Sequence, residues 1–430
     1  MRSADRLCFY PAAVRGCNCS GLGKCDTTHV VSETIIHLKP RKERPALRGH
    51  PWVFSGAIAD LDSRIEPGAL ATVRAADGAF VGRGYVNPRC AIAVRLLTRT
   101  DEPIDGAFFH RRIGAALTLR RTMVPSETNA YRLLNGEGDG LPGFVADVYG
   151  TAIVLQCLTA GAARLKPYAV EALQSVLAPS AIYERSTGSV RREEGIGPEE
   201  GVVAGEVPNE PLLVGECGQR FLVDLRGGQK TGFFLDQRDN RVLARALAEG
   251  RSVLNAFAYT GAFGVYAGAG RAAQVVSVES SARALDLARR NWSENALPAS
   301  VAEFVGADVS RYLRATDRTF DLLILDPPAL VKRRQELERG ARAYKDLHLW
   351  AFRRAAAGAY VMTFSCSQHV SAELFWKIVH GAAVDARCDV QVLRHLGAGA
   401  DHPVALAQPE GEYLKGLLLR VNRGSSRNSA

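Results

Sequence analysis

From about residue 213 the sequence alternates short apolar runs with amphipathic stretches, and no other feature constrains the fold so tightly. RFLVDL (220–225), SVLNAF (252–257), QVVSVE (274–279), EFVGAD (303–308), FDLLILD (320–326) and YVMTFSC (360–366) read as strands. FLDQRDNRVLARALAEG (234–250) and SARALDLARRNWSENAL (281–297) read as helices, the first with Val242, Leu243, Ala246 and Leu247 on its apolar face. Strands separated by helices pair side by side only when the helices cross over the sheet, so the pattern predicts a doubly wound parallel α/β sheet. DVQVLRHL and EYLKGLLLRVN, near the end, predict an antiparallel edge.

Such a sheet binds its ligand at the carboxyl ends of its strands. In VLNAFAYTGAFG (253–264) the first of these ends runs from Asn255 and Phe257 into Thr260 and Gly261, where small residues admit close backbone approach. The stretch lacks G-x-G-x-x-G, so a plain strand-to-helix turn competes with a ligand site. Glu279 ends the next strand, 24 residues after Asn255. An acid there can bind both hydroxyls of a ribose. Asp308 ends the following strand and could accept from an adenine amino group. Each acid alone is more often an ordinary solvated strand end; three such ends in succession favour a ligand. In FDLLILDPPALVK (320–332) two prolines stop the strand and aim Asp326 into the cleft. The order AYTG, Glu, Asp, DPP, FSCS predicts a Rossmann-like, S-adenosylmethionine-dependent methyltransferase.

Cys366 ends the last of these strands. Alone, a free cysteine there is a small buried filler. With Asp326 on the predicted neighbouring strand and a methyl-donor site alongside, it reads as a nucleophile.

The rest of the chain divides by pattern. Residues 1–33 read as a flexible extension, residues 34–105 as a small β domain, 106–212 as an α+β region, 213–423 as the α/β domain and 424–430 as a disordered tail. GPEEGVVAGEVPNEP (197–211) reads as a linker or exposed loop. The chain carries net charge +9, which suits a polyanionic partner without requiring one. Lys39, Arg41, Lys42, Arg44 and Arg48 cluster against the single acid Glu43, as a solvated basic loop or a phosphate contact. Residues 331–345, with Arg342 and Lys345, hold six basic and two acidic residues, as a solvated helix or a second phosphate contact. No stretch of 18 apolar residues appears, so no membrane span is predicted. Nine scattered cysteines predict free thiols in a reducing cytoplasm. Cys8, Cys17, Cys19 and Cys25 lack the paired C-x2-C spacing of a zinc site, and no metal is expected.

Several stretches make the chain resemble the bacterial large-subunit (23S) ribosomal RNA methyltransferase I family, which makes 5-methylcytosine. They include LRGHPWVFSGAI, LNGEGDGLPGFVADVYG, YERSTGSVRREEGI, GQKTGFFLDQRDNR, VLNAFAYTGAF, LILDPPALV, RAYKDLH, TFSCS and DHPVALAQPEGEYLKGL, in the family's order from about residue 36 to 421. The resemblance implies a PUA domain over the β region, a middle α+β domain and a class I methyltransferase domain. It also implies S-adenosylmethionine as cofactor and large-subunit rRNA as partner, with a homodimer possible. Gln237 and Arg238, in LDQR, would line the cofactor pocket. The basic 39–48 loop, with Lys39, Arg41, Lys42 and Arg48, would meet RNA, as would Arg342 and Lys345.

The implied chemistry is attack of the Cys366 thiolate on cytosine C6, which turns C5 into a carbon able to take a methyl group. Asp326 would bond N3 or the exocyclic amine, and Arg342 or Lys345 would lower the thiol pKa. Many related RNA enzymes carry a second cysteine after the DPP-like motif; here Ala329 stands there, so the group assisting product release has no candidate. Two rivals remain open: an N-methyltransferase acting on a base or protein amine, and a non-catalytic ribosome assembly factor.

Overall fold

The C-terminal alternation becomes one seven-stranded sheet. In this computed structural model, which describes residues 34–422, its strands are β1 (Ser252–Ala256), β2 (Gln274–Glu279), β3 (Ala302–Gly306), β4 (Phe320–Leu325), β5 (Ala355–Ser365), β6 (Asp389–Leu396) and β7 (Lys415–Asn422). Their spatial order is β3-β2-β1-β4-β5-β7-β6. The first five are parallel, while β7 runs antiparallel to β5 and β6 to β7. The order reverses between β1 and β4, the switch point at which α/β sheets open a crevice.

The helices are α1 (Arg238–Leu247), α2 (Ala262–Ala269), α3 (Ala282–Glu294), α4 (Val309–Ala315), α5 (Leu337–Arg354) and α6 (Ala372–Asp385). They cover both faces of the sheet, so its strands are apolar on both sides. Leu254, Val276, Leu323 and Val361 join the core with Leu313 of α4, Phe352 of α5 and Phe375 of α6. The alternate residues Val253, Val275, Ile324 and Met362 join Ala244 of α1, Phe263 of α2 and Trp292 of α3.

Two smaller sheets precede this one. Strands 34–37, 69–74, 80–86, 92–98 and 52–54 form a five-stranded sheet in that spatial order. A second, also five-stranded, runs 199–205, 181–186, 152–157, 144–149, 130–135, with helices 106–123 and 160–177 packed together beside it. Gly150, at φ 61°, turns the hairpin between 144–149 and 152–157.

Two sequence expectations fail. The presumptive linker at 197–211 contains strand Glu199–Gly205, paired antiparallel with Ala181–Ser186. Its residues are largely exposed because it is an edge strand, anchored by Lys166 and Arg191 on Glu199 and by Tyr183 Oη on Glu200 (3.0 Å). Helix α1 follows its apolar face only in part: Leu243 and Leu247 pack against the core, but the buried face is shifted. Val242 and Ala246 are exposed, while Arg238, Asn240, Arg241 and Ala244 are buried. Glu216 neutralises Arg241 with two hydrogen bonds of 2.7 and 2.6 Å, so this core face is polar.

A strap from Gly397 to Tyr413 carries the chain from β6 back to β7 and crosses the middle sheet. Asp401 accepts from the Arg132 amide (3.0 Å) and Arg238 (2.8 Å) through its carboxylate, and from Arg120 (2.9 Å) through its carbonyl. Asn135 donates to the Pro403 carbonyl at 2.9 Å. His50, in the N-terminal sheet region, faces Glu410 at 3.6 Å. No described helix is long and apolar enough to cross a membrane. The cysteines from Cys8 to Cys25, considered above for zinc, lie outside the described residues.

Candidate active site

The strand ends expected to carry chemistry meet along one edge of the sheet. Leu325 and Thr363 are paired across β4 and β5, so Asp326 and Cys366 leave neighbouring parallel strands on the same side. The sequence fixes the direction of the thiol through its flanking serines. Ser365 and Ser367 are buried and both bond Tyr344 Oη of α5, at 3.0 and 3.1 Å. The Ser367 hydroxyl also accepts from the Val331 amide (3.2 Å), tying the loop after Asp326 to the loop carrying Cys366. With both serines turned inward, the residue between them is turned the other way, and Cys366 is half-buried.

Two carboxyl groups share the site and are driven apart. Burial pushes Asp326 up to about 7, helped by the charge of Asp236 and opposed by Lys230 and a hydrogen bond from Gln237. Burial also opposes ionisation of Asp236, but Lys230, His402 and a Tyr413 hydrogen bond outweigh it and hold Asp236 down at about 2. One carboxyl group is thus held charged while its neighbour keeps its proton well above the usual carboxylate range, the pattern that separates acid from base roles. Burial raises the Cys366 thiol, and Lys230 is the cation that pulls it back.

Arg342 and Lys345, expected to lower the thiol pKa, do not fill that place. Arg342 pairs with Glu338 on the exposed face of α5, and Lys345 pairs with Asp385 of α6 at 2.9 Å. The cations beside the thiol are Lys230 and Lys415, whose ammonium donates to the Ser367 carbonyl at 2.9 Å. Lys230, Asp236, Tyr413 and Lys415 were missed as site residues although GQKTGFFLDQR and EGEYLKG contain them. The signal was present: a lone lysine within a Gly-rich turn, and a Tyr–Lys pair opening an apolar strand.

On the other side of Asp326 lies the loop joining β1 to α2. Phe257, Tyr259 and Gly261 have φ of 58°, 46° and 81°. Two non-glycine residues held in the left-handed region mark a strained turn of the kind found where a chain wraps a ligand. Glu279 braces it by accepting from the Tyr259 amide (2.9 Å) and the Ser281 amide (2.8 Å). Thr260 has a buried hydroxyl with no protein partner. Asp308 is exposed and caps α4, accepting from the Arg311 amide at 2.8 Å.

Two residues expected at the cofactor are buried and bonded within the protein. Asn255 is buried beneath α2, with its amide 3.3 Å from Ser277 Oγ. Arg238 is buried against Glu216 (3.6 Å) and Asp401 (2.8 Å), so its charge is used internally. Gln237 stands beside Asp326, whose pKa it lowers, and accepts from the Asn240 amide at 2.6 Å.

Comparison with known proteins fits this geometry. A family model for a PUA-like domain matches residues 36–99. One for an S-adenosylmethionine-dependent methyltransferase matches residues 199–347. A candidate S-adenosylmethionine-dependent methyltransferase from Streptococcus mutans superposes with a TM-score of 0.78 at 22% identity, over 90% of this chain and all (100%) of that one. A structure of a candidate methyltransferase complexed with SAH superposes equally well, with a TM-score of 0.78. The fold is therefore the Rossmann-like methyltransferase architecture with a PUA-like N-terminal domain. S-adenosylmethionine is the cofactor, and the strained loop, the unpartnered Thr260 hydroxyl and the strand-end acids suit it. Two relatives extend the likeness over nearly the whole chain. The ribosomal RNA large subunit methyltransferase I of Cronobacter sakazakii is 42% identical over 385 residues, covering 88% of this chain and 97% of the relative. That of Salmonella arizonae is 43% identical over 389 residues, covering 89% and 96%. The chain belongs to the ribosomal RNA large subunit methyltransferase I family.

Proposed function

We propose that the protein methylates C5 of a cytosine in large-subunit ribosomal RNA, through a transient bond between Cys366 Sγ and C6 of the base. The observation that carries this reading is the placement of Asp326 and Cys366 on neighbouring parallel strand ends, beside the cofactor loop. S-adenosylmethionine supplies an electrophilic methyl group. The chain's residues make C5 nucleophilic enough to take it.

The target base leaves its stack to reach both groups. The Cys366 thiolate forms the Sγ–C6 bond while protonated Asp326 donates to N3, so the ring takes on no net negative charge. The displaced C5–C6 pair, held as a C4–C5 enamine, then forms the new C5–methyl bond, while the methyl–sulfur bond breaks and leaves its pair on the departing thioether. Water takes the C5 proton, the C5–C6 double bond re-forms, the Sγ–C6 bond breaks, and N3 returns its proton to Asp326. Neutral Asp326 and anionic Cys366 are both needed at the outset: burial keeps the proton on Asp326, and Lys230 opposes the rise that burial and the Asp236 charge impose on the thiol. Thr260, Glu279, Asp308 and the turn through Phe257 and Gly261 would hold the cofactor, with Gln237 orienting Asp326. Lys39, Arg41, Lys42 and Arg48 are all exposed and would meet RNA phosphates; Arg342 and Lys345 would add to that contact.

The test is methyl transfer from labelled S-adenosylmethionine to large-subunit rRNA lacking its modifications, followed by nucleoside digestion. Wild type should yield 5-methylcytosine and Cys366→Ala none. Methylation by the variant would make Cys366 a filler and favour an amine acceptor.

A further inference from the structure

Beyond β5, away from the cofactor loop, the same edge of the sheet opens into a cavity of about 440 Å³. That size is typical of a site for a small planar ligand. Phe375 and Leu417 form an apolar floor, and Trp376, His395, Lys377 and Lys415 stand around it. Trp376 of α6 and His395 of β6 are stacked, with ring centroids 5.7 Å apart and planes inclined by 23°. Trp376 nevertheless keeps 42% of its surface exposed. An indole braced from one side and open on the other is costly to leave in water, and it offers a rigid stacking surface.

The charges around the cavity cancel. Lys377 is paired with Glu373 at 2.6 Å, and Glu412 stands in the same wall as Lys415. A phosphate would gain little there. A neutral heterocycle with carbonyl and amine edges would find a stacking face, acceptors and a donor. Lys415 spends one of its three N–H groups on the Ser367 carbonyl and keeps the others.

Position completes the argument. Lys415 is paired in register with Ser365, one residue before the thiol. His395, on β6, is two strands from β5, about 10 Å at the usual strand spacing. Cofactor loop, thiol and cavity thus follow one another along a single edge.

We propose that this cavity binds an unpaired base of the substrate RNA next to the target cytosine, stacked on Trp376 and bonded by Lys415. The proposal rests on the reaction assigned above. Its physical sense is that a base unstacked from its neighbours must be compensated, and stacking on an aromatic side chain supplies this without strong sequence preference. Lys415 would then join the seating of the neighbouring base to the loop carrying Cys366.

The experiment compares wild type, Trp376→Ala and Trp376→Phe in the rRNA methyl-transfer assay, with S-adenosylmethionine binding measured by calorimetry. Trp376→Ala should raise KM for rRNA about tenfold or more. Its kcat and cofactor affinity should stay within about twofold of wild type, and Trp376→Phe should recover most of the loss. An unchanged KM in the alanine variant, or a phenylalanine variant as poor as alanine, would overturn the proposal. So would a change from dimer to monomer in sedimentation without an effect on KM, which would make this face a contact between copies. The label counts methyl groups on any base. A product other than 5-methylcytosine would therefore overturn the assigned reaction and leave the KM comparison intact.

Discussion

Lys230 Nζ lies 3.7 Å from Asp236 Oδ2, and the same ammonium sits over the rings of Phe234 (4.6 Å) and Tyr413 (5.8 Å). It is also the cation that offsets the burial of the Cys366 thiol. Lys230→Met should therefore raise the pH at which Cys366 becomes a thiolate. The acidic limb of the pH–rate profile should move to higher pH, and alkylation of the Cys366 peptide by iodoacetamide, followed by mass spectrometry, should move with it. An unmoved profile would leave Lys230 a binding residue only.

Asp326 links activity to stability in opposite senses. Its pKa rises from 3.8 to about 7 on folding, so between those values the folded chain holds the proton more tightly than the unfolded one. Stability from this group is full below about pH 4 and is lost as pH rises through 7. Asp326→Asn should abolish methyl transfer and raise Tm more at pH 8 than at pH 5. Thermal melts at the two pH values would show this; a variant less stable than wild type at pH 8 would contradict it.

Arg238 and Asp401 form a buried pair at 2.8 Å. Removing Asp401 leaves Arg238 only the longer Glu216 ion pair at 3.6 Å, so the loss is up to about 3–5 kcal/mol. Asp401→Asn should lower the denaturation midpoint by a corresponding amount in urea. Cofactor affinity of the folded protein should hardly change. A large loss of affinity at unchanged stability would return Arg238 to the cofactor site.

Gly261 has φ +81°, and a Cβ there would come within 2.8 Å of Ala288 Cβ. Gly261→Ala strains the backbone and pushes the loop away from α3. Calorimetry should show weaker S-adenosylmethionine binding, with a loss of about 1–2 kcal/mol in stability from the backbone alone.

Much of this site was legible because strand ends in a parallel sheet are set by short-range pattern. β4 and β5 are apolar runs stopped by Asp-Pro-Pro and Ser-Cys-Ser, and adjacency follows from the topology. The rest depended on long-range burial of charge. Arg238 read as a cofactor-pocket residue because arginine is seldom buried without a partner. Its partners lie outside the motif that carries it: Glu216 precedes it on another element and Asp401 comes 163 residues later. Strand 199–205 was hidden for the converse reason, since an exposed edge strand needs no apolar alternation. Lys230 and Tyr413 converge on Asp236 from segments separated by most of the α/β domain, which no local spacing could show.

The strap from Gly397 to Tyr413 bears on any attempt to dissect the chain. Its Asp401 accepts from the Arg120 side chain, the Arg132 amide and the Arg238 side chain at once, so the catalytic sheet and the middle sheet share one buried hydrogen-bonded knot. Truncation at residue 213 would leave Arg238 with its acids but deprive Asp401 and Pro403 of Arg132 and Asn135. The C-terminal half is therefore no detachable cassette. Grafted onto another RNA-binding module, it would have to carry the middle region with it, and shuffling of recognition parts in this architecture is confined to what lies upstream of that knot.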